Sequence, residues 1–188
     1  MEAGLEDITN SYTLNEEDRI VSVGPHWDQY AMEEDAPESV ADKVLGREIW
    51  DFIEGHQTRD YLFGIFHVCR IEYEEFSALY RCDTPDLYRL FRLIVKPHAS
   101  GMLTVDHALI EKRQSAGIRR IAAFPDHHDT TRCSICCAFQ IGGKWIDLEV
   151  RPEPGNFAKS YSICPKCQKT AQQEIDRIKA KPKLRSVN

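Results

Sequence analysis

The chain has 188 residues, of which 42% are hydrophobic and 10% aromatic, so it can bury the core of one medium domain and a small appendage. No apolar run approaches the roughly 18 residues of a membrane-spanning helix, and residues 1–7 lack the basic start and apolar core of a signal peptide. Seven cysteines, an odd number, are typical of a reducing compartment, so we expect a cytoplasmic protein with no membrane partner.

The net charge of −6 is unevenly distributed along the chain. Residues 1–48 hold 13 acidic and 3 basic side chains, whereas residues 166–188 hold 2 acidic and 7 basic ones. The acidic front argues against nucleic acid as a partner of the main body. Nucleic acid stays open as a partner only for the C-terminal end of the chain.

The first part of the chain reads as an acidic segment that leads into a domain. Residues 1–18 are polar and acidic, with one short helix expected after Asn15. The alternating run 19–25 ends on Gly-Pro and predicts a strand and a turn. A short helical turn is expected at 27–32, and the acidic run 33–38 is typical of a solvated loop.

We assign residues 19–112 to this domain and expect its main helix at 58–70. The apolar positions of that stretch recur at helical spacing, and Thr58 is a suitable N-cap. Three strand-like runs follow, at residues 75–80, 87–96 and 101–109. The domain is thus predicted to combine one long helix with a sheet of several strands.

Two C-x-x-C pairs dominate the C-terminal part of the chain, after a connector over residues 113–130. The pairs are separated by 27 residues and consist of Cys133, Cys136, Cys164 and Cys167. Each pair can place two thiolates on a tight turn, and four thiolates in a tetrahedron are preferred ligands of structural zinc. The insert is longer than the usual spacing, so the pattern predicts a zinc-ribbon-like module over residues 131–168. A basic helix and tail, 169–188, would follow it.

Three further residues adjoin this module. Cys137 follows the first pair directly, and it is either a bystander or an alternative ligand. His127 and His128 precede the module, and they form either a polar linker pair or part of a metal site. We favour the bystander and the linker, because four thiolates already complete a tetrahedral site.

Two segments of the domain resemble bacterial PAS domains. Residues 44–53, VLGREIWDFI, are similar to a segment of many such domains, and residues 80–85, YRCDTP, with Arg89 and Arg92 after them, are similar to the strand-turn-strand of one PAS subgroup. Members of that subgroup can carry a C-x-x-C…C-P-x-C tail similar to 133–167. The predicted order of a strand, two short helical turns, a longer helix and three antiparallel strands is also that of a PAS domain. One departure is that Cys-Ala follows the first pair here, where the family tends to have a basic residue.

The resemblance implies an α+β fold in which helices cover one face of an antiparallel sheet, with a ligand cavity between the sheet and the short helices. The candidate wall residues of that cavity are Trp50, Phe52, Phe63, Phe66, Phe91 and Leu93. Plain core packing is the favoured interpretation of the same residues, because any core needs aromatics at such spacings. Haem, for which His67 is the one tempting ligand, is not expected, and neither is flavin, because the flavin-binding cysteine motif of light-sensing relatives is missing.

Alternation in the middle strand predicts a second surface. Leu90 and Ile94 should lie on the face opposite Phe91 and Leu93, because side chains alternate with period 2. Two aliphatic residues on an open sheet face need cover. PAS relatives often dimerise through this face, so the resemblance implies a homodimer with Leu90 and Ile94 at or near its centre.

The function that these features favour is a stand-alone, non-enzymatic sensory or protein-interaction module in signal transduction, stabilised by structural zinc. It would bind a small molecule or a signalling protein. One alternative is a zinc-ribbon regulator that binds nucleic acid through its basic end, although phosphate contacts alone do not read bases. The other is a thiol-redox sensor that uses a C-x-x-C pair.

Overall fold

In the described part of the chain, five strands form one antiparallel sheet, in the order β2-β1-β5-β4-β3. Their bounds are β1 Ile8–Leu14, β2 Ile20–Val23, β3 Phe76–Arg81, β4 Leu87–Pro97 and β5 Leu103–Gln114. Strands β3 to β5 correspond to the three runs predicted from alternation, and β2 lies within the predicted first strand. With the helices that pack on this sheet, the predicted α+β class is confirmed.

The computed structural model describes residues 8–84, 87–114, 131–147 and 160–181. From residue 115 onward, the connector predicted at 113–130 lies outside these ranges, and so do His127 and His128. Among the described residues, no helix is both long enough and apolar enough to cross a membrane.

Residues 8–14 are part of the sheet, which corrects the prediction that the segment 1–18 precedes the domain. Strand β1 pairs with β2 on one side and β5 on the other, and Leu14 faces Leu103 in the register. Tyr12 and Leu14 are buried, and residues 9–11 and 13 are polar, so few apolar positions reveal the strand in the sequence. The expected helix after Asn15 is a turn, in which the Asn15 side chain accepts the N–H groups of Glu17 and Arg19.

Three helices and two 3₁₀ turns connect β2 to β3. Their bounds are α1 Trp27–Glu33, a 3₁₀ turn Pro37–Ser39, α2 Ala41–Val44, a 3₁₀ turn Ile49–Phe52 and α3 His56–Glu72. Helix α3 begins at His56 rather than Thr58, because Gly55, with φ of 83°, provides the N-cap position. It ends at Tyr73, which adopts the left-handed conformation with φ of 56°.

The main core lies between α3 and the inner face of the sheet. Helix α3 buries Ile65, Phe66 and Cys69 there. The facing strand residues are fully buried: Leu14, Ile20, Phe76, Val95, Leu103 and Val105. Because every second strand residue points to this face, the sheet and the helix share one continuous apolar cluster.

A second, smaller sheet contains the cysteine turns, in the order β8-β7-β6-β9. Its strands are β6 Thr131–Cys133, β7 Phe139–Ile141, β8 Lys144–Ile146 and β9 Ser160–Ser162. Strands β7 and β8 form a hairpin, and Gly142 and Gly143 both adopt positive φ in its turn.

Helix α4, Pro165–Lys179, belongs to both parts of the molecule. It begins in the second cysteine pair, and its residues Ala171 and Ile178 are buried in the main core. The boundary predicted between a module ending at 168 and a tail beginning at 169 therefore falls inside one continuous helix. The helix is rich in lysine and glutamine, so its few apolar positions do not show in the sequence that it packs against the core.

Candidate metal centre

The two cysteine pairs are brought together by a parallel strand pair. Strands β6 and β9 run side by side, with Cys133 opposite Ser162. Cys133 is the last residue of β6, and Cys164 lies two residues beyond the end of β9. Because parallel strands end at the same edge, the turn after each strand delivers its cysteines to the same point.

The first pair lies on a narrow backbone turn. The carbonyl of Cys133 accepts the N–H of Cys137 at 3.0 Å, and the N–H of Cys133 donates to the carbonyl of Ala138 at 2.8 Å. Cys137 adopts the left-handed conformation, with φ of 59°, which turns the chain back into β7. The thiol of Cys137 faces away from the cluster and donates to the carbonyl of Arg81 at 3.4 Å.

The second pair lies at the start of α4. Cys164 is the N-cap, Pro165 occupies the first helical position, and Cys167 follows within the first turn. Proline suits this position because the first helical N–H has no intrahelical partner.

The four sulfur atoms form a compact cluster. The Sγ atoms of Cys133, Cys136, Cys164 and Cys167 all lie within 4.8 Å of one another. The distance between the Sγ atoms of Cys136 and Cys164 is 3.7 Å, and a tetrahedral site with Zn–S distances of about 2.3 Å has edges of about 3.8 Å. Three of the cysteines are buried and Cys136 is half-buried. The predicted cluster is therefore present, with dimensions that suit a tetrahedral metal.

Hydrogen bonds within the cluster favour a thiolate at Cys133. The thiols of Cys136 and Cys167 lower the pKa of Cys133, and the backbone N–H of Cys164 donates to its Sγ at 3.3 Å. Four thiolates at this separation repel one another, so a bound cation is needed to keep all four ionised. Thiolate ligands select soft or borderline metals such as zinc, copper(I) or iron in iron–sulfur clusters.

Arg81 connects the first cysteine turn to the main sheet. Its backbone N–H donates to the carbonyl of Ile135 at 2.7 Å, and its Nη1 donates to Asp147 Oδ1 at 2.6 Å. The guanidinium also binds Asp83, with Nε at 3.1 Å from Oδ2. Burial acts to lower the pKa of Arg81, but the hydrogen bonds to Asp83 and Asp147 outweigh it and raise the pKa. Within the segment YRCDTP, singled out in the sequence, Arg81 thus ends β3 and holds the cysteine module.

The start of α3 makes a second connection to this module. The hydroxyls of Thr58 and Ser134 share a hydrogen bond of 2.7 Å, and Ser162 donates to the side chain of Gln57. Tyr61 packs against both the main core and the cysteine cluster. Thr58, predicted as an N-cap, instead links the helix to the first cysteine turn.

The predicted cavity wall is only partly assembled. Phe66, Phe91 and Leu93 are buried in the interior, and Trp50 packs at its edge. Phe63 is 56% exposed and stacks on His67, the residue considered for haem, which is also exposed. Among the six predicted residues, Phe52 is the one that lines the cavity described next.

A cavity of about 210 Å³ lies between β1, β2 and the short helices. Its wall includes Asn10, Ile20, Trp27, Tyr30, Ala31 and Val44, together with Phe52. The sequence predicted a cavity between the sheet and the short helices, but five of the six wall residues it suggested, Trp50 and the four on α3 and β4, do not line this cavity. The helical turn predicted at 27–32 contains Trp27 and Tyr30, and these two aromatics could have indicated the wall that the structure shows.

Leu90 and Ile94 lie opposite Phe91 and Leu93, as alternation predicted. Phe91 and Leu93 are buried, whereas Leu90 and Ile94 are half-buried on the outer face of β4. On the neighbouring strand, Leu79 is 48% exposed. This outer face therefore keeps an accessible aliphatic surface.

No family model, curated protein or solved structure matches the chain. The cysteine cluster, the cavity and the outer sheet face therefore carry the functional argument.

Proposed function

We propose that the protein is a PAS-type sensory and protein-interaction module whose two sheets are held together by a structural zinc ion. What supports the PAS assignment is the order of elements, in which short helices and one long helix precede three antiparallel strands. The cavity between the sheet and the short helices supports a ligand-binding role. The cytoplasm, where thiolates stay reduced, suits such a metal site.

The observation that carries the structural role of the metal is the path of α4. Two of the four thiolates lie in the first turn of this helix, whereas Ala171 and Ile178 further along it are buried in the main core. A metal held by all four cysteines would therefore fix α4 against both sheets. Four protein ligands leave no open coordination position for a substrate, so the proposed role of the metal is structural and the module non-enzymatic.

In this proposal, a signal passes from the cavity to the outer face of the sheet. Strand β1 lines the cavity through Asn10 and pairs with β5, and β5 pairs with β4, which carries Leu90 and Ile94. A homodimer formed through Leu90 and Ile94 would change its pairing when the cavity is occupied. A ligand produces this change only if it binds one arrangement better than the other.

Two measurements test the proposal. Elemental analysis of purified protein should give about one zinc per chain. A screen of small molecules by thermal shift, followed by hydrogen exchange, should find ligands that protect α1 and β1 and alter exchange in β4. If purified protein carries no metal and its cysteine module is still folded, the proposed structural zinc is refuted. A protein in which no ligand from the screen changes exchange outside the cavity would contradict the sensory role.

A further inference from the structure

Two polar side chains of the cavity wall, Trp27 and Glu34, are engaged with other parts of the chain. The indole Nε1 of Trp27 donates to the carbonyl of Ser39 at 2.6 Å, so the ring presents only its apolar surface. Glu34, also in the wall, is held by Arg89, whose Nη2 lies 2.8 Å from Glu34 Oε2. A wall whose carboxylate is already neutralised has no charge left to attract a cation.

One polar atom in this wall has no partner. Asn10 lines the cavity and lies on the inward side of β1, two residues before buried Tyr12. Its Oδ1 is buried and, within the described residues, makes no hydrogen bond. A buried acceptor without a donor costs free energy that a ligand can recover by supplying an N–H or O–H group.

The size of the cavity limits the ligand. A dry cavity of about 150 Å³ lined by aliphatic and aromatic side chains is enough to hold benzene, whereas drug-sized ligands occupy about 300–1,000 Å³. At about 210 Å³, the cavity matches one or two fused small rings. Trp27 and Phe52 supply aromatic contact surface for such a ring.

We propose that this cavity binds a small, neutral aromatic compound with one hydrogen-bond donor, of the phenol or indole class. The ring packs among Trp27, Ala31 and Phe52, and the donor group bonds to Asn10 Oδ1. This inference rests on the proposed sensory function, and it names the class of compound sensed.

The test compares phenol with toluene, which have the same shape but differ in the donor group. Binding is measured by calorimetry and by chemical shifts of α1 and β1 in the full chain. Phenol should bind about tenfold more tightly than toluene, because toluene leaves Oδ1 without a partner. In Asn10→Leu the preference should vanish or reverse. The control variant Thr13→Val removes an outward hydroxyl on the same strand, and it should keep the preference for phenol over toluene.

A second variant locates the binding site. Ala31→Phe fills the cavity and should abolish the binding of both compounds while circular dichroism shows an intact fold. Equal affinity for phenol and toluene, or a preference that survives Asn10→Leu, would overturn the proposal. If phenol and indole fail to bind while aliphatic or larger compounds bind the parent protein and not Ala31→Phe, the ligand class is wrong and the sensory role stands. If nothing in the screen binds, both fail.

Discussion

The backbone N–H of Arg81, at the end of β3, donates to the carbonyl of Ile135 between the two cysteines of the first pair, at 2.7 Å. The main sheet and the cysteine cluster are therefore joined by main-chain contact. Side-chain bonds from Arg81 to Asp83 and Asp147 reinforce this junction. Because backbone groups cannot be exchanged by substitution, the position of the module depends on the path of β3.

The first prediction concerns the metal. Cys164→Ala removes one of four ligands, and structural zinc sites contribute about 10–16 kcal/mol of apparent binding free energy. We expect the variant to lose its metal and to lose ordered structure at 131–147 and in the first turns of α4, measured by elemental analysis and hydrogen exchange. Cys137→Ala is the matched control and should keep a full metal content. Equal metal loss in both variants would contradict the assigned ligand set.

The second prediction concerns Arg81, whose side chain is 8% exposed and is paired with Asp83 at 13%. Arg81→Met leaves Asp83 ionised and buried without its partner, which should cost about 3–5 kcal/mol in the free energy of unfolding. Arg19→Met removes an exposed pair with Glu48, in which both side chains are 47% exposed, and should cost less than about 1 kcal/mol. Urea denaturation measures both. If the two variants lose similar amounts of unfolding free energy, the buried ion pair of Arg81 contributes no more than the exposed pair of Arg19.

The third prediction concerns α4, whose Ile178 is 1% exposed. Ile178→Ala should lower the free energy of unfolding by about 2–5 kcal/mol, because it opens a cavity in the main core. Lys179→Ala, one residue further on and exposed, should change it by no more than about 0.5 kcal/mol. If thermal melts of the two variants coincide, α4 does not dock in solution as it does here.

The fourth prediction concerns pH. Burial lowers the pKa of His107 from 6.5 to about 4, and its Nδ1 lies 2.8 Å from the Tyr80 hydroxyl. In the unfolded chain this histidine is protonated below about pH 6.5. Stability should therefore be fully present above pH 6.5 and fall as the pH drops toward 4. The loss should be on the order of 2 kcal/mol, after allowance for partial exposure of the ring.

Urea midpoints between pH 4 and 7.5 measure this loss. His107→Gln, which cannot be protonated, should have a flatter profile over the same window. His98→Gln is the control, since His98 is exposed, and its profile should follow that of the unmodified protein. A profile for His107→Gln identical to that of the parent would assign the pH dependence to other groups.

The fifth prediction concerns association through the outer sheet face. Replacing both Leu90 and Ile94 by Glu places like charges across a two-fold interface, where each patch meets its own copy. The double variant should be a folded monomer in light scattering, whereas the parent should be a dimer. Glu substitution of Met32, a 62% exposed residue on α1, should leave the dimer intact. A parent protein that is monomeric at high micromolar concentration would refute the dimer.

Some of this architecture could be predicted from the sequence, because its signals are local. Alternation located β3 to β5, and ligand spacing located the four cysteines, since a C-x-x-C turn brings two sulfurs together almost independently of its surroundings. Strand β1 was missed because only Tyr12 and Leu14 show its buried side. The packing of Ile178 was missed because it depends on contacts between distant parts of the chain.

The cavity wall was the least predictable part of the site. Trp27 and Tyr30 lie in a short helix whose pattern is too brief to show which side faces the sheet. Glu34 was read as part of a solvated acidic loop, yet it pairs with Arg89, which is 55 residues away in the sequence. Pairing of this kind leaves no periodic trace, so only the folded structure reveals it.

The place of α4 in the chain sets an order of assembly. Both apolar clusters include residues of this helix, Ile178 in one and Cys167 in the other. During synthesis, residues 8–114 emerge before any part of α4. The surface of the main core that α4 covers is therefore exposed until α4 has been made. If the four cysteines hold the proposed zinc, its capture by Cys164 and Cys167 is a late event that completes both clusters at once. Metal supply during translation would thus govern the yield of finished protein as well as its final stability.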